Sequence, residues 1–290
     1  MKKDFLKYLA GLLLFGSNGI IASHIALTSY EIVFLRSVLG SVLLVALFLV
    51  TGHRFTAFSH KKDLMFIAAS GVAMAANWLF LFEAFRQIGV SLSIIINYCG
   101  PAIAVAVSIV LFKDKLTMVK LIALVSALAG AILINGFAAK DGINATGLIC
   151  AVLSSFSYAA LIVLNKCSKK IVGTENAVLQ LFFTALAVTV YMGCRGALKM
   201  AIPAGSWPWI LWLALLNTGI GCFFYFSSIS ALPVQTVAVC GYLEPMSAVF
   251  FSAVFLHEVM FPLQWLGAAL IIGGAVLSEC AKPRKVYAGS

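Results

Sequence analysis

The 290-residue chain is 62% hydrophobic and only 10% charged, with a mean hydropathy of +1.06 and a formal net charge of +10. That composition excludes a soluble globular protein and is that of a polytopic membrane protein. The basic residues fall in short clusters between apolar runs rather than along one face, which argues for membrane topology and against a nucleic-acid partner.

In chain order, helices are predicted near 5–25, 30–51, 63–86, 90–112, 117–137, 144–165, 175–194, 206–229, 234–256 and 262–280. Each is close to the ~20 residues that cross ~30 Å of hydrocarbon. The first run, MKKDFLKYLAGLLLFG, has the look of a signal peptide, but further spans follow it, so it is read as a retained first helix. Short connections carrying Gly52, Gly89, Gly142, Gly173, Pro203, Pro233 and Pro262 leave no room for a soluble domain. One side of the membrane receives Lys2, Lys3, Lys7, Arg54, Lys61, Lys62, Lys113, Lys115, Lys120, Lys166, Lys169, Lys170, Lys282, Arg284 and Lys285; the other receives only Arg86, Lys140, Arg195 and Lys199. The positive-inside rule therefore puts both termini in the cytoplasm, consistent with ten spans in the cytoplasmic (inner) membrane.

Slid against itself by 144 positions, the chain lays YCGPAIAV from Tyr98 over YLEPMSAV from Tyr242. Pro101 then meets Pro245, Asp114 meets Glu258, Gly130 meets Gly274, Glu31 meets Glu175 and Arg36 meets Gln180. The predicted fold class is an all-α membrane protein of two five-helix repeats, 1–137 and 144–280, followed by a cytoplasmic tail at 281–290. Because five is odd, the second repeat enters the membrane inverted, an architecture of secondary transporters with a site near the midplane.

Glu244 lies about ten residues into its span, ~15 Å deep, where a charge costs ~2.5 to 3.5 kcal/mol. It is either a functional carboxylate that binds a cationic solute group or carries a proton, or an acid satisfied by Arg36 or by polar neighbours such as Tyr242. Pro101 and Pro245 each lack an amide proton and free the carbonyls of Asn97 and Gly241, which are tolerated only where protein or cavity water satisfies them. Paired breaks of this kind point to a central cavity or a hinge. Candidate solute-binding residues at comparable depth are Asn18, Trp78, Asn97, Tyr98, Tyr158, Tyr225, Tyr242 and Glu244, with Tyr98 and Tyr242 ranked first because they adjoin the breaks. Arg36 and Glu83, at similar depths, are expected to form a structural ion pair. Seven single cysteines without CxxC spacing are read as packing residues, and no metal or cofactor is called for.

Together these features resemble the drug/metabolite transporter superfamily, EamA type. The resemblance spans the chain and rests on FGSN at 15–18, FLRSVLG at 34–40, FEAFRQIGVSLS at 82–93, GPAIAV at 100–105, EPMSAV at 244–249 and the acidic loop and last helix in HEVMFPLQWLGAALIIGGAVL. Two departures are Phe15, where the family often has Trp, and KDK at 113–115, where it usually has Glu. The resemblance implies a secondary transporter that works without ATP and mostly exports amino acids, metabolites or toxic compounds. No GxxxxGK[ST] run is present. The expected function is thus secondary transport of a small organic solute by alternating access, with proton coupling through Glu244 as the sharper form, in a monomer or homodimer within the lipid bilayer. The alternative, a membrane-embedded enzyme acting on a lipid or isoprenoid substrate, would need an interfacial cluster of His, Asp, Glu or Ser. The four histidines, His24, His53, His60 and His257, are dispersed along the chain. The topology is checked by reporter fusions: a C-terminal fluorescent-protein fusion is expected to glow and an alkaline phosphatase fusion to be inactive, and the reverse pattern would place the C-terminus outside.

Overall fold

The structure, a computed structural model, describes residues 2–88, 93, 96–112, 117–135, 144–255 and 262–280. The calls on Gly89, Lys113 to Lys115, Lys140, Gly142, His257, Glu258 and the 281–290 tail lie outside the described residues. Among those described there is no strand. The helices are α1 (Lys2–Gly16), α2 (Asn18–Ser23), α3 (Ser29–Val50), α4 (Lys61–Ile88), α5 (Cys99–Phe112), α6 (Met118–Asn135), α7 (Ala145–Cys167) and α8 (Gly173–Cys194). They are followed by α9 (Trp207–Leu211), a π-helical stretch (Trp212–Ile220), α10 (Gly221–Ile229), α11 (Val234–Gly241), α12 (Leu243–Phe255) and α13 (Pro262–Cys280). Among the described residues, six helical segments are long and apolar enough to cross a membrane: Lys3–Ala22, Ser29–Val50, Lys61–Ala84, Ala145–Cys167, Gly173–Cys194 and Ala204–Ile229. Large apolar side chains such as Val42, Val110, Ile122 and Phe182 are exposed on the outside, the disposition a hydrocarbon solvent favours.

Local sequence explains the boundaries. Glu31 accepts from the Thr28 backbone N–H at 2.8 Å and closes a capping box at the start of α3, while Asn144 accepts from Thr146 N–H at 2.8 Å to start α7. The chain turns at Tyr98 and again at Tyr242, each three residues before a proline that cannot complete the helical ladder. Two predicted spans are less regular than their apolar composition indicates. The first is divided at Ser17, where α1 ends and α2 begins, because the Asn217 amide donates to the Leu14 carbonyl at 2.8 Å and to Ser17 Oγ at 2.7 Å, holding the joint from across the bundle. The 206–229 span contains the π stretch, within which Thr218 Oγ1 donates to the carbonyl of Leu213 five residues earlier, at 2.9 Å.

Contacts between the halves are reciprocal. Tyr242 Oη donates to the Tyr98 carbonyl at 2.7 Å, and Ser126 Oγ donates to the Leu270 carbonyl at 3.1 Å; both pairs are 144 residues apart. A Cβ on Gly130 would lie 2.5 Å from the Gly267 carbonyl, and one on its repeat mate Gly274 would lie 2.7 Å from the carbonyl of Ala123, the mate of Gly267. This reciprocity is that of an approximate two-fold axis between α6 and α13. Backbones approach closely there because neither glycine carries a side chain, the small-residue packing typical of helices in lipid. The adjacent Gly273 faces open space. Gly274→Ala is therefore expected to destabilise by about 1–3 kcal/mol through overpacking, whereas Gly273→Ala is neutral or mildly stabilising. Apparent Tm in detergent at a fixed scan rate checks the contrast between the two variants.

Candidate functional site

The break at Tyr98 and Tyr242 anchors the site. Their rings pack 5.7 Å apart, and the Tyr98 hydroxyl lies within reach of the Glu244 carboxyl. Glu244 sits in the first turn of α12 and is only partly buried, although the helix carrying it is packed against α1. Gly16 makes that packing possible: a Cβ there would overlap Ser247 Oγ and lie 3.0 Å from the Glu244 carbonyl oxygen. Ser247 Oγ in turn donates to that carbonyl at 2.8 Å, so the backbone under the carboxylate is held in place.

A tyrosine cluster closes one side. The rings of Tyr8 and Tyr225 lie 5.1 Å apart and those of Phe15 and Tyr225 lie 5.9 Å apart. The Tyr8 hydroxyl donates to the Val237 carbonyl at 2.8 Å, and Tyr158 packs where Gly100 leaves no Cβ. Tyr225 Oη lies buried near the Tyr8 and Tyr158 hydroxyls without a well-formed hydrogen bond.

Arg36, on α3, lies near Cys222 and Glu244. It is 6% exposed, its Nε donates to Thr218 Oγ1 at 2.9 Å, and its guanidinium lies 4.7 Å from the centroid of the Trp78 ring, a cation–π distance. Thr218, Cys222 and Tyr225 follow one another at helical spacing. They carry the wall from Arg36 to the tyrosines, and Arg36, Cys222 and Glu244 act on one another electrostatically. The contact has a repeat-related counterpart: Gln180 Nε2 reaches Met74 Sδ at 3.9 Å, and Gln180 and Met74 are the mates of Arg36 and Thr218.

The structure thus brings together Trp78, Tyr98, Tyr158, Tyr225, Tyr242 and Glu244, with Arg36 beside them. Asn97 accepts from Asn77 Nδ2 at 2.7 Å, and Asn77 also donates to the Ser154 carbonyl at 2.9 Å, which pins the chain just before the Tyr98 turn. Asn18 belongs to the α1–α2 joint, where it accepts from Asn217 Nδ2 at 3.1 Å. The expected Arg36–Glu83 ion pair is corrected: Arg36 is held by Thr218 and Trp78, whereas Glu83 accepts from Gln87 Nε2 at 3.0 Å on its own helix. Similar depth does not suffice for pairing, because rotation about the helix axis decides which way each side chain points.

The EamA-like transporter family matches twice, over residues 4–136 and 145–279. The chain belongs to the EamA-like transporter family. It is 25% identical over 278 residues to the uncharacterized transporter YxxF of Bacillus subtilis, covering 94% of this chain and 88% of that one. It is 22% identical over 204 residues to protein PecM of Dickeya dadantii, covering 69% and 68%. A solved crystal structure shares its fold with a TM-score of 0.81 at 16% identity, over 96% of this chain and 97% of the other. This EamA-like protein is accordingly a multi-pass membrane protein of a transporter family.

Two participants of the candidate site escaped sequence reasoning. Tyr8 is fully buried in the tyrosine cluster, and its only sequence signal is a phenol inside the first apolar run. Thr218 holds Arg36, but nothing in an apolar run distinguishes it from a threonine facing lipid. Tyr242→Phe removes the hydrogen bond to the Tyr98 carbonyl with little change of shape. It is expected to lower stability by about 1 kcal/mol, checked as a fall in apparent Tm of the purified protein.

Proposed function

We propose that this protein is a secondary active transporter that carries a small organic solute, an amino acid, metabolite or drug-like compound, outward across the cytoplasmic membrane by alternating access. In this reading ten transmembrane helices form two inverted five-helix repeats, 1–137 and 144–280, and both termini, with the 281–290 tail, are cytoplasmic. Asn97, Tyr98, Trp78, Tyr158, Tyr225, Tyr242 and Glu244 contribute to the solute site, Asn18 supports it from the α1–α2 joint, and the breaks before Pro101 and Pro245 act as hinges. Glu244 exchanges the solute for a proton.

The observation that carries this reading is the position of Glu244: a partly buried glutamate one residue before the second proline, where the two repeats meet. Groups that act on it electrostatically are Arg36 from α3, Tyr98 from the turn before α5, Tyr158 from α7, and Cys222 and Tyr225 from α10. A carboxyl in that setting is accessible to a proton or a solute cation without being neutralised by a direct ion pair among the described residues. Repeat-related helix interruptions flanking such a group are a feature of secondary transporter sites.

Reconstitution into proteoliposomes with an imposed pH gradient tests the reading. The wild type is expected to accumulate solute against its gradient, and Glu244→Gln to lose that accumulation while remaining folded. Full gradient-driven accumulation by Glu244→Gln would remove the carboxylate from coupling.

A further inference from the structure

The two glutamates paired by the repeat offset are used differently. Glu175, the third residue of α8, reaches into the loop between α3 and α4 in the other half. There it accepts from the Thr56 N–H at 2.6 Å, the Thr56 hydroxyl at 2.7 Å and the Ala57 N–H at 2.8 Å. Glu31, the third residue of α3, turns back on its own helix start and accepts from the N–H and hydroxyl of Thr28 at 2.8 and 2.7 Å. A second carboxylate reinforces the Glu175 contact: Asp63, in the first turn of α4, accepts from the N–H groups of Lys169 and Lys170 at 2.6 and 3.1 Å. Ala26, the mate of Lys170, has only a neutral partner, its N–H donating to Ser206 Oγ at 3.2 Å. Hydrogen bonds to a carboxylate are roughly twice as strong as neutral ones, so the two ends of the bundle are unequally fastened.

Burial differs in the same sense. Beside the Glu175 and Asp63 contacts, Ala57, Ile67, Ile171 and Leu179 form a buried apolar cluster. Their repeat mates are Ala201, Leu211, Leu27 and Leu35. None of these is buried: Ala201 is exposed, Leu211 is 42% exposed against 0% for Ile67, and Leu27 and Leu35 are partly covered. Partners for the fastening that this end lacks are nonetheless in place. Tyr30 packs on the same apolar cluster as Met200, and Ile32 on the same cluster as Ile202, so residues 200–202 run past the first turn of α3. Met200 and Ala201 are the mates of Thr56 and Ala57, and their N–H groups make no hydrogen bond among the described residues.

We infer that Glu175 and Glu31 are alternating latches that set which side of the membrane the solute site faces. With Glu175 on Thr56 and Ala57, the end of the bundle assigned above to the cytoplasm is shut. When that contact opens, Glu31 leaves Thr28, accepts from the N–H groups of Met200 and Ala201, and shuts the outer end. The inference rests on the transporter reading above and adds to it two positioning residues remote from the solute site. An unequal arrangement of two like halves has a counterpart in which the halves exchange roles, and alternating access populates both. The exchange is not even, because Met200 has no hydroxyl to match that of Thr56. Glu31 gains two bonds where Glu175 has three, which favours the arrangement with the inner end shut.

The test reads distances between spin labels on the full-length protein in lipid nanodiscs, in a cysteine-free background. Phe58→Cys with Lys170→Cys reports the inner end, and Ala26→Cys with Lys199→Cys the outer end, all at exposed positions. In Glu175→Ala the population with a long inner and a short outer distance is expected to rise on the order of tenfold. Thr56→Val, which removes one of the three bonds, is expected to move it the same way by less. Thr28→Val, which loosens the hold on Glu31, is expected to do likewise, and Glu31→Ala added to Glu175→Ala to reverse the rise. If Glu175→Ala does not fold, Thr56→Val with and without Glu31→Ala carries the same comparison. Unchanged inner distances in Glu175→Ala or Thr56→Val overturn the inner latch. An inner end that opens with no shortening outside, or a rise that Glu31→Ala leaves intact, overturns the exchange. Either result leaves the transporter reading standing, which is overturned instead if the reconstituted wild type carries no solute from a cell extract.

Discussion

Every backbone carbonyl freed inside hydrocarbon has to find a donor within the protein or in a wet cavity. Two prolines, Pro101 and Pro245, free such carbonyls at repeat-related positions, and the chain turns at Tyr98 and Tyr242 just before them. The structure sets the two interruptions against one another, with Tyr242 donating its phenolic proton to the carbonyl of Tyr98, the residue next to the freed carbonyl of Asn97. The rest of the arrangement follows from that meeting. Glycines allow α6 and α13 to cross on the axis, Gly16 brings α1 against α12, and Gly100 makes room for Tyr158. Aromatic rings then surround the interrupted backbone and exclude lipid from it.

On this shared frame the charges are not shared. The mate of Arg36 is Gln180 and the mate of Glu244 is Gly100, so each half contributes one charge that the other half lacks. Reciprocal contacts relate the two halves at the crossing of α6 and α13. The unshared charges make the two halves chemically unequal at the proposed site.

The features legible in the sequence were those that break a local rule. Proline inside an apolar run marks an interruption wherever it occurs, and a repeat of that proline at a fixed offset reveals the two halves. A carboxylate in such a run is conspicuous for the same reason. What could not be read depends on partners far away in the chain. The division at Ser17 has no proline behind it and is held by Asn217, some two hundred residues distant. The π stretch from Trp212 to Ile220 has the composition of any apolar helix. Depth along a helix can be counted from the sequence, but its rotation cannot, and that is why Arg36 was matched with Glu83 rather than with Thr218 and Trp78.

The central claim is that proton and solute meet at the Glu244 carboxyl. Proton release on binding measures this directly: purified protein in weakly buffered solution, with a pH-sensitive dye, is mixed with a saturating amount of a transported solute. The account predicts release of protons by the wild type and none by Glu244→Gln at matched occupancy. Equal release by both proteins would contradict it.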